Sequence, residues 1–215
     1  MEYTDLKLEQ SGHVLKIVVN RPEVLNAQSR VMREELDDAL ANAASDDSVR
    51  VVIISGAGDH FSAGHDLGSP QELADRERRP YADGIPGEYE RSWQQNIANT
   101  LRWRDFPKPT IAQVHGYCIM GGIILATSCD LIIASEDAQF SDRTVRWGGP
   151  HVQYIGLPWD IGIRKAKEYL FTGDWISARE AERIGLVNRV VPGKDLESET
   201  MKLAERIALQ DPFAL

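Results

Sequence analysis

The chain has 215 residues, of which 42% are apolar and 27% charged, and its formal net charge is −9. That length suits one α/β domain with a sizeable core, and the composition is that of an ordinary globular protein. The acidic balance argues against a nucleic-acid binder, because no basic excess exists to displace phosphate counterions. A polyanionic ligand would have to be held by local features, not by the overall field.

In chain order, Leu6 to Gln10 and Val14 to Asn20 read as paired strands across Ser11–Gly12. Arg21–Pro22 ends the pair. Met32, Leu36, Leu40 and Ala43 recur at helical spacing within a helix from about Ser29 to Ser45. Val49 to Ser55 is a β-branched run, as expected of a strand buried on both faces in a parallel sheet. Residues 66–92 combine charge with several prolines and glycines, and read as a mobile surface excursion, not a domain linker. A helix from about Tyr89 to Arg104, a strand from Thr110 to His115 and a buried helix opened by Gly121–Gly122 follow.

Leu131 to Ala134 reads as a strand, and Ile161 to Phe171 as a helix stopped by Gly173. Ser177-Ala-Arg-Glu180 has the form of a capping box. A strand over 187–191 and a helix over 196–209 complete one mixed α/β domain, residues 1–215, without repeats. Pro212 is suited to start another helix, so the end at Leu215 reads as an interruption. No signal peptide and no membrane-length apolar run is visible. Cys118 and Cys129 read as free thiols, and the expected location is the cytoplasm.

Gly56-Ala-Gly-Asp-His-Phe61 follows a strand, but Phe61 stands where a dinucleotide fingerprint needs its third glycine. Phe61-Ser-Ala-Gly-His-Asp-Leu67 is a small-residue turn that lets backbone approach a ligand, and the N–H of the following residue, His65, is expected to point into a cavity. Gly116-Tyr-Cys-Ile-Met-Gly-Gly122 leads from a strand into an apolar helix whose N-terminal N–H groups favour developing negative charge. Two such donors on one carbonyl oxygen make an oxyanion hole. As bare patterns, both are more often structural turns.

Taken as an ordered set, these segments resemble the enoyl-CoA hydratase/isomerase (crotonase) superfamily. The matching stretches are Asn20-Arg-Pro-Glu-Val-Leu-Asn-Ala27, Phe61–Leu67, Pro109–Tyr117, Gly121-Gly122, Cys129–Ser135, Ala138-Gln-Phe140, Phe171–Asp174 and Gly185–Asn188. The resemblance implies an α/β fold of the ClpP/crotonase type, a spiral of ββα units, here without the family's C-terminal helical segment. It implies an acyl-CoA thioester as substrate, no separate cofactor, no nucleic-acid or membrane partner, and assembly as a homotrimer or dimer of trimers. By the same resemblance, the oxyanion donors are the N–H groups of His65 and Gly121. The CoA path falls on Val24, Leu25, Ala27, Ala63, His65, Asp66, Leu67 and Gly121, with 66–92 flanking the acyl pocket.

The departures from the family's pattern are specific. Hydratases of the family carry one glutamate three residues after the oxyanion glycine, where this chain has Ile124, and a second four residues after Ala-Gln-Phe, where it has Thr144. Hydration needs a positioned base and acid, and neither residue supplies one near neutrality. Replacement candidates are Asp142, on the exit from the same strand, and His151 in the altered loop Gly148–Tyr154. Ordinary readings stand beside both: a loop or capping aspartate, and a surface or packed histidine. Arg143 and Arg146 could pair with an acyl carboxylate, but pairing with Asp142 is the favoured expectation, and Trp147 and Tyr154 are expected to lie in the core or pocket wall. No tetrahedral ligand set or serine-hydrolase elbow is present, so no metal site is expected. The expectation is an acyl-CoA-processing enzyme that stabilises a thioester enolate, by one-base isomerisation or by lyase or hydrolase chemistry on a specialised acyl group, or a catalytically silent acyl-CoA-binding relative.

Overall fold

The structure is a computed structural model that describes residues 3–148 and 153–215. Strands β1 (Leu6–Ser11) and β2 (Val14–Val19) form an antiparallel hairpin turned at Gly12, whose φ of 55° favours glycine. Helix α1 (Arg30–Ser45) is capped by Ser29, whose side chain accepts from the Met32 N–H. It leads to β3 (Val51–Gly56), which pairs parallel with β2. All but the last residue of β3 are buried, because its alternating side chains feed both faces of the sheet.

Segment 66–92 is more regular than its composition suggests. It holds α2 (Pro70–Arg78), capped by Ser69 and opened by Pro70, and most of α3 (Gly84–Trp93). The single helix expected over 89–104 is interrupted by a π-turn, Gln94–Ala98, before α4 (Asn99–Arg104). A π-turn turns carbonyls out of the helical ladder, and such turns occur often at functional sites.

Next come β4 (Thr110–Val114), β5 (Tyr117–Ile119) and α5 (Gly121–Ser128). They are followed by β6 (Leu131–Ser135), β7 (Gln139–Ser141), α6 (Thr144–Trp147), α7 (Leu157–Asp160) and α8 (Ile163–Thr172). The last elements are β8 (Ile176–Ser177), α9 (Ala178–Arg183), β9 (Arg189–Val191) and α10 (Leu196–Ala208). At α9 the capping box is half made: Ser177 Oγ accepts from the Glu180 N–H, while the Glu180 carboxylate turns to Arg183.

The strands divide into a six-stranded sheet ordered β1-β2-β3-β4-β6-β9 and a small sheet ordered β5-β7-β8. Each turn of the chain adds one strand to the large sheet, one rung to the small sheet, and then helix. Two single parallel bridges, Ser62–Cys118 and Gln28–His65, continue the small sheet into the earlier turns. The result is a spiral of strand–strand–helix units, and the small sheet's edge is where the glycine bends meet. Helix α10 covers Val14, Val51, Ile53, Ile111 and Ile133 on one face of the large sheet. Helices α1 and α5 cover Ile17, Val52, Ile54 and Ala112 on the other.

One buried ionic network ties the early turns together. The Arg21 guanidinium meets Asp5 at 3.1 Å and Asp66 at 2.9 Å, and all three are almost fully buried. It also donates to the Ala27 carbonyl and to Gln71. Asp5 in turn accepts from Ser29 Oγ at 2.8 Å, so the cap of α1 belongs to the same network. Removing one partner of a buried pair leaves uncompensated charge, which costs about 3–5 kcal/mol. Arg21→Met should therefore lower Tm by roughly 6–20 °C in a thermal melt.

Burial pushes the Asp66 carboxyl up, but hydrogen bonds from Ser69, Arg21 and the Gly68 N–H outweigh it and hold it below the usual carboxylate range. At Asp75, burial is likewise outweighed by Arg79 and Arg78. Both carboxyls thus titrate lower folded than unfolded. The stability they confer is present above the unfolded value of about 4 and is lost as pH falls through the folded values. Urea midpoints should hold steady from pH 7 to about 5 and fall steeply below about pH 4. Midpoints that stay flat to pH 3 would contradict this.

Candidate active site

The two glycine bends lie in direct contact. A Cβ on Gly64, which sits at φ +99°, would fall 2.7 Å from the Ile119 carbonyl oxygen and 3.1 Å from the Gly121 nitrogen. One on Gly122 would fall 2.6 Å from the Ser62 carbonyl oxygen. Real Cβ atoms do not approach that closely, so glycine is what lets the bends touch. Between them, Ser62 exchanges backbone bonds with Tyr117 and Ile119. Gly64 O accepts from Gln28 N, and Asp66 N donates to Gln28 O. In this parallel pattern the His65 N–H points away from Gln28.

Met120 makes the second bend. It adopts φ 48° and ψ −110°, a combination that costs a residue with a Cβ on the order of 1–3 kcal/mol. Its own N–H donates to the Ser141 carbonyl at 3.0 Å, which holds the strained peptide against β7. Among the described residues no side chain caps α5, which leaves its first-turn N–H groups and helix dipole without a side-chain acceptor.

The loop before α1 is equally well fixed. Leu25 and Asn26 both have positive φ, 54° and 55°. The buried Asn26 carboxamide accepts from the Arg21 N–H at 2.9 Å and donates to the Ala57 and His60 carbonyls at 2.8 and 2.7 Å. Leu25 and Leu67 are exposed, Val24, Ala27, Ala63 and His65 half-buried, and Asp66 and Gly121 buried. These residues of the expected CoA path surround the 62–65 bend, through the Leu25–Ala63 and Gln28–Gly64 backbone bonds.

Of the two glutamate positions, Ile124 is buried on α5, and Thr144 opens α6. Asp142 leaves β7 one residue after the Ser141–Met120 hydrogen bond, which sets it beside the second bend. One of its oxygens accepts from the Thr144 N–H at 3.0 Å, a local turn cap. Among the described residues, Thr144 Oγ1 and Gln153 Nε2 are buried without a hydrogen-bond partner. The expected pairing of Arg143 and Arg146 with Asp142 is not seen. Arg146 bonds Asp174 at 2.7 Å, and Arg143 stacks over the Trp175 ring, because α6 turns both side chains toward the start of β8. Trp147 is largely exposed, not core, since α6 is too short to carry it beneath a neighbour. His151 lies outside the described residues. The Cys118 thiol is pushed well up by burial and offers no nucleophile at neutral pH.

Helical periodicity alone does not reveal Arg33. It lies on the buried side of α1, one residue from Met32, and is only 5% exposed. It donates to the Gln95 carbonyl freed by the π-turn, to Asn96 Oδ1 and Gln28 Oε1 at 3.4 Å each, and to His65 Nδ1. Because Arg33 can only donate, His65 Nδ1 carries the lone pair, and its proton sits on Nε2, which faces Gln153 Oε1 at 3.2 Å. Gln28 Nε2 donates to the Gly121 carbonyl at 2.8 Å, so Gly121, Gln28, Arg33 and His65 form one polar cluster. A Cβ on Gly121 would fall 2.8 Å from His65 Nδ1. Burial lowers the Arg33 pKa to about 10, and the Glu72 charge is the largest opposing influence. It therefore stays a cation at neutral pH.

The family profile described as "Enoyl-CoA hydratase/isomerase" matches residues 9–215. EchA13 of Mycobacterium tuberculosis, named as an enoyl-CoA hydratase, is 43% identical over 96% of this chain and 69% of its own length. The short-chain-enoyl-CoA hydratase of Clostridium acetobutylicum is 34% identical over 100% of this chain and 79% of its own. A crystal structure of a Mycobacterium thermoresistibile protein described as a probable enoyl-CoA hydratase superposes with a TM-score of 0.86 at 44% identity, covering 98% of this chain and 83% of that one. The spiral, the contiguous glycine bends and these similarities lead to one conclusion: the chain belongs to the enoyl-CoA hydratase/isomerase family and has its crotonase fold.

Proposed function

We propose that the chain processes an acyl-CoA thioester through an enolate whose oxygen is held by the His65 and Gly121 N–H groups. The observation that carries this is the contact between the bends, with the space for a Cβ on Gly64 closed by Ile119 and Gly121. Two preorganised donors cost no reorganisation as charge develops, and losing one typically costs ~2.7–4 kcal/mol of transition-state stabilisation. Val24, Leu25, Ala27, Ala63, Asp66 and Leu67 line the CoA path, and segment 66–92 moves as the acyl group enters.

Standard two-glutamate hydration does not fit Ile124 and Thr144. Chemistry with one base does. Asp142 takes the proton from C2 of a 3-enoyl thioester, and the electron pair passes to the thioester oxygen. The proton is then returned at C4, which moves the double bond to C2–C3 with atoms and charge balanced. His151 is the alternative proton carrier. A second reading, a silent acyl-CoA binder, is favoured by one feature: the Asp142 oxygen engaged as a turn cap for Thr144.

The protein acts without a separate cofactor, in the cytoplasm, as a homotrimer or dimer of trimers. The free thiols support the location. No helix among the described residues is long and apolar enough to cross a membrane. The exposed Trp159, Ile163 and Phe171 on α7 and α8 give the assembly an apolar face to bury.

A panel of 2-enoyl- and 3-enoyl-CoA thioesters, assayed beside Asp142→Asn, tests the mechanism. Isomerisation should exceed hydration, and the variant should lose roughly 10²–10⁴-fold in kcat. An unchanged rate removes Asp142 from the chemistry. Tight thioester binding with no turnover of any panel member establishes the silent binder instead.

A further inference from the structure

We propose that Arg33 makes the acyl pocket select thioesters whose acyl chain ends in a carboxylate. The inference rests on the acyl-CoA reading above and adds the substrate class. The pocket beside His65 is a cavity of about 150 Å³. Its lining includes Arg33, Arg76, Arg91, Asp66 and Glu72, with Leu67 as its one apolar side chain among the described lining residues. A hydrocarbon tail placed there would strip water from charged groups and return nothing.

The charges in that lining are not balanced internally. Asp66 is taken by Arg21 at 2.9 Å and by Ser69. Glu72 is taken by Arg76 at 2.8 Å and by the Arg30 N–H. Arg91 pairs outward with Glu88 at 2.6 Å. Arg33 is left with neutral acceptors only, and among the described residues no carboxylate comes within the 4.0 Å ion-pair distance of its guanidinium. Its Nε, moreover, is buried without a hydrogen-bond partner among the described residues. Buried cations are ordinarily paired, and a lone one is costly to keep. A planar guanidinium fork with an unused donor matches a carboxylate in both charge and shape.

Position argues for the acyl end of the ligand over the CoA phosphates. Arg33 shares Gln28 with Gly121 and contacts the His65 ring, so it lies next to the proposed thioester oxygen site and beneath the surface. A short acyl chain of a few carbons spans that separation. The CoA phosphates, strongly hydrated, would remain at the exposed mouth near Leu25 and Leu67.

The test is calorimetric binding of glutaryl-CoA, pentanoyl-CoA and free CoA to the full chain and to Arg33→Met. Wild-type protein should bind glutaryl-CoA at least ~10-fold tighter than the equally long pentanoyl-CoA, as expected for charged hydrogen bonds. In Arg33→Met that ratio should fall to near unity. Arg33→Lys, with charge but no fork, should keep part of it. Equal binding of the two thioesters by wild type overturns the proposal, and that comparison needs no variant to fold. So does a variant that weakens glutaryl-CoA, pentanoyl-CoA and free CoA alike, which would assign Arg33 to the phosphates. If neither thioester binds better than free CoA, the thioester reading itself falls, and this inference with it.

Discussion

The closest approach in the molecule that matters most for chemistry is backbone against backbone. Gly64 faces Ile119 and Gly121, and Gly122 faces Ser62, at separations no side chain could share. A methyl group at either position would drive the two bends apart. Most of the surrounding structure serves to hold them together. The Ser62–Cys118 and Gln28–His65 bridges stitch the bends into the small sheet, and Met120 accepts a strained conformation anchored by Ser141. Strain of this kind persists only where neighbouring bonds over-determine the geometry.

The support behind the first bend is ionic. Arg21 lies between Asp5 and Asp66 and also reaches the Ala27 carbonyl, so one guanidinium joins β1, the 22–27 loop and the 62–66 bend. Asn26 adds three hydrogen bonds from the same loop to neighbouring backbone. The contrast with Arg33 is informative. One buried arginine is saturated with carboxylates and acts as structure, whereas the other lines a cavity and keeps a buried Nε without a partner among the described residues. Burial alone does not distinguish a structural charge from a ligand-binding one; the inventory of partners does.

Much of the fold was legible in the sequence because its long elements carry strong periodic signals. The β-branched run of β3, the helical spacing of Met32, Leu36, Leu40 and Ala43 on α1 and Gly173 after α8 were readable, and all three took the expected form. The small sheet was not, since its strands are two or three residues long and too short to show alternation. Helix α2 was hidden by a polar sequence that buries only Glu72 and Asp75 through ion pairs, which hydropathy cannot detect. At the site, the glycine turns were visible as patterns, but their mutual contact is long-range. Arg33 carried a usable signal, a charge flanked by Met32 on the inward arc of α1, but amphipathic reading assigns such a charge to solvent by default.

One thioester oxygen and two backbone amide groups carry the proposed chemistry. A crystal of the protein with a non-reactive saturated acyl-CoA thioester measures this directly. The predicted result places the thioester carbonyl oxygen about 2.7–3.1 Å from both the His65 and the Gly121 backbone nitrogens. A thioester seated with its oxygen turned to side chains or solvent, beyond hydrogen-bond reach of those two nitrogens, would contradict it.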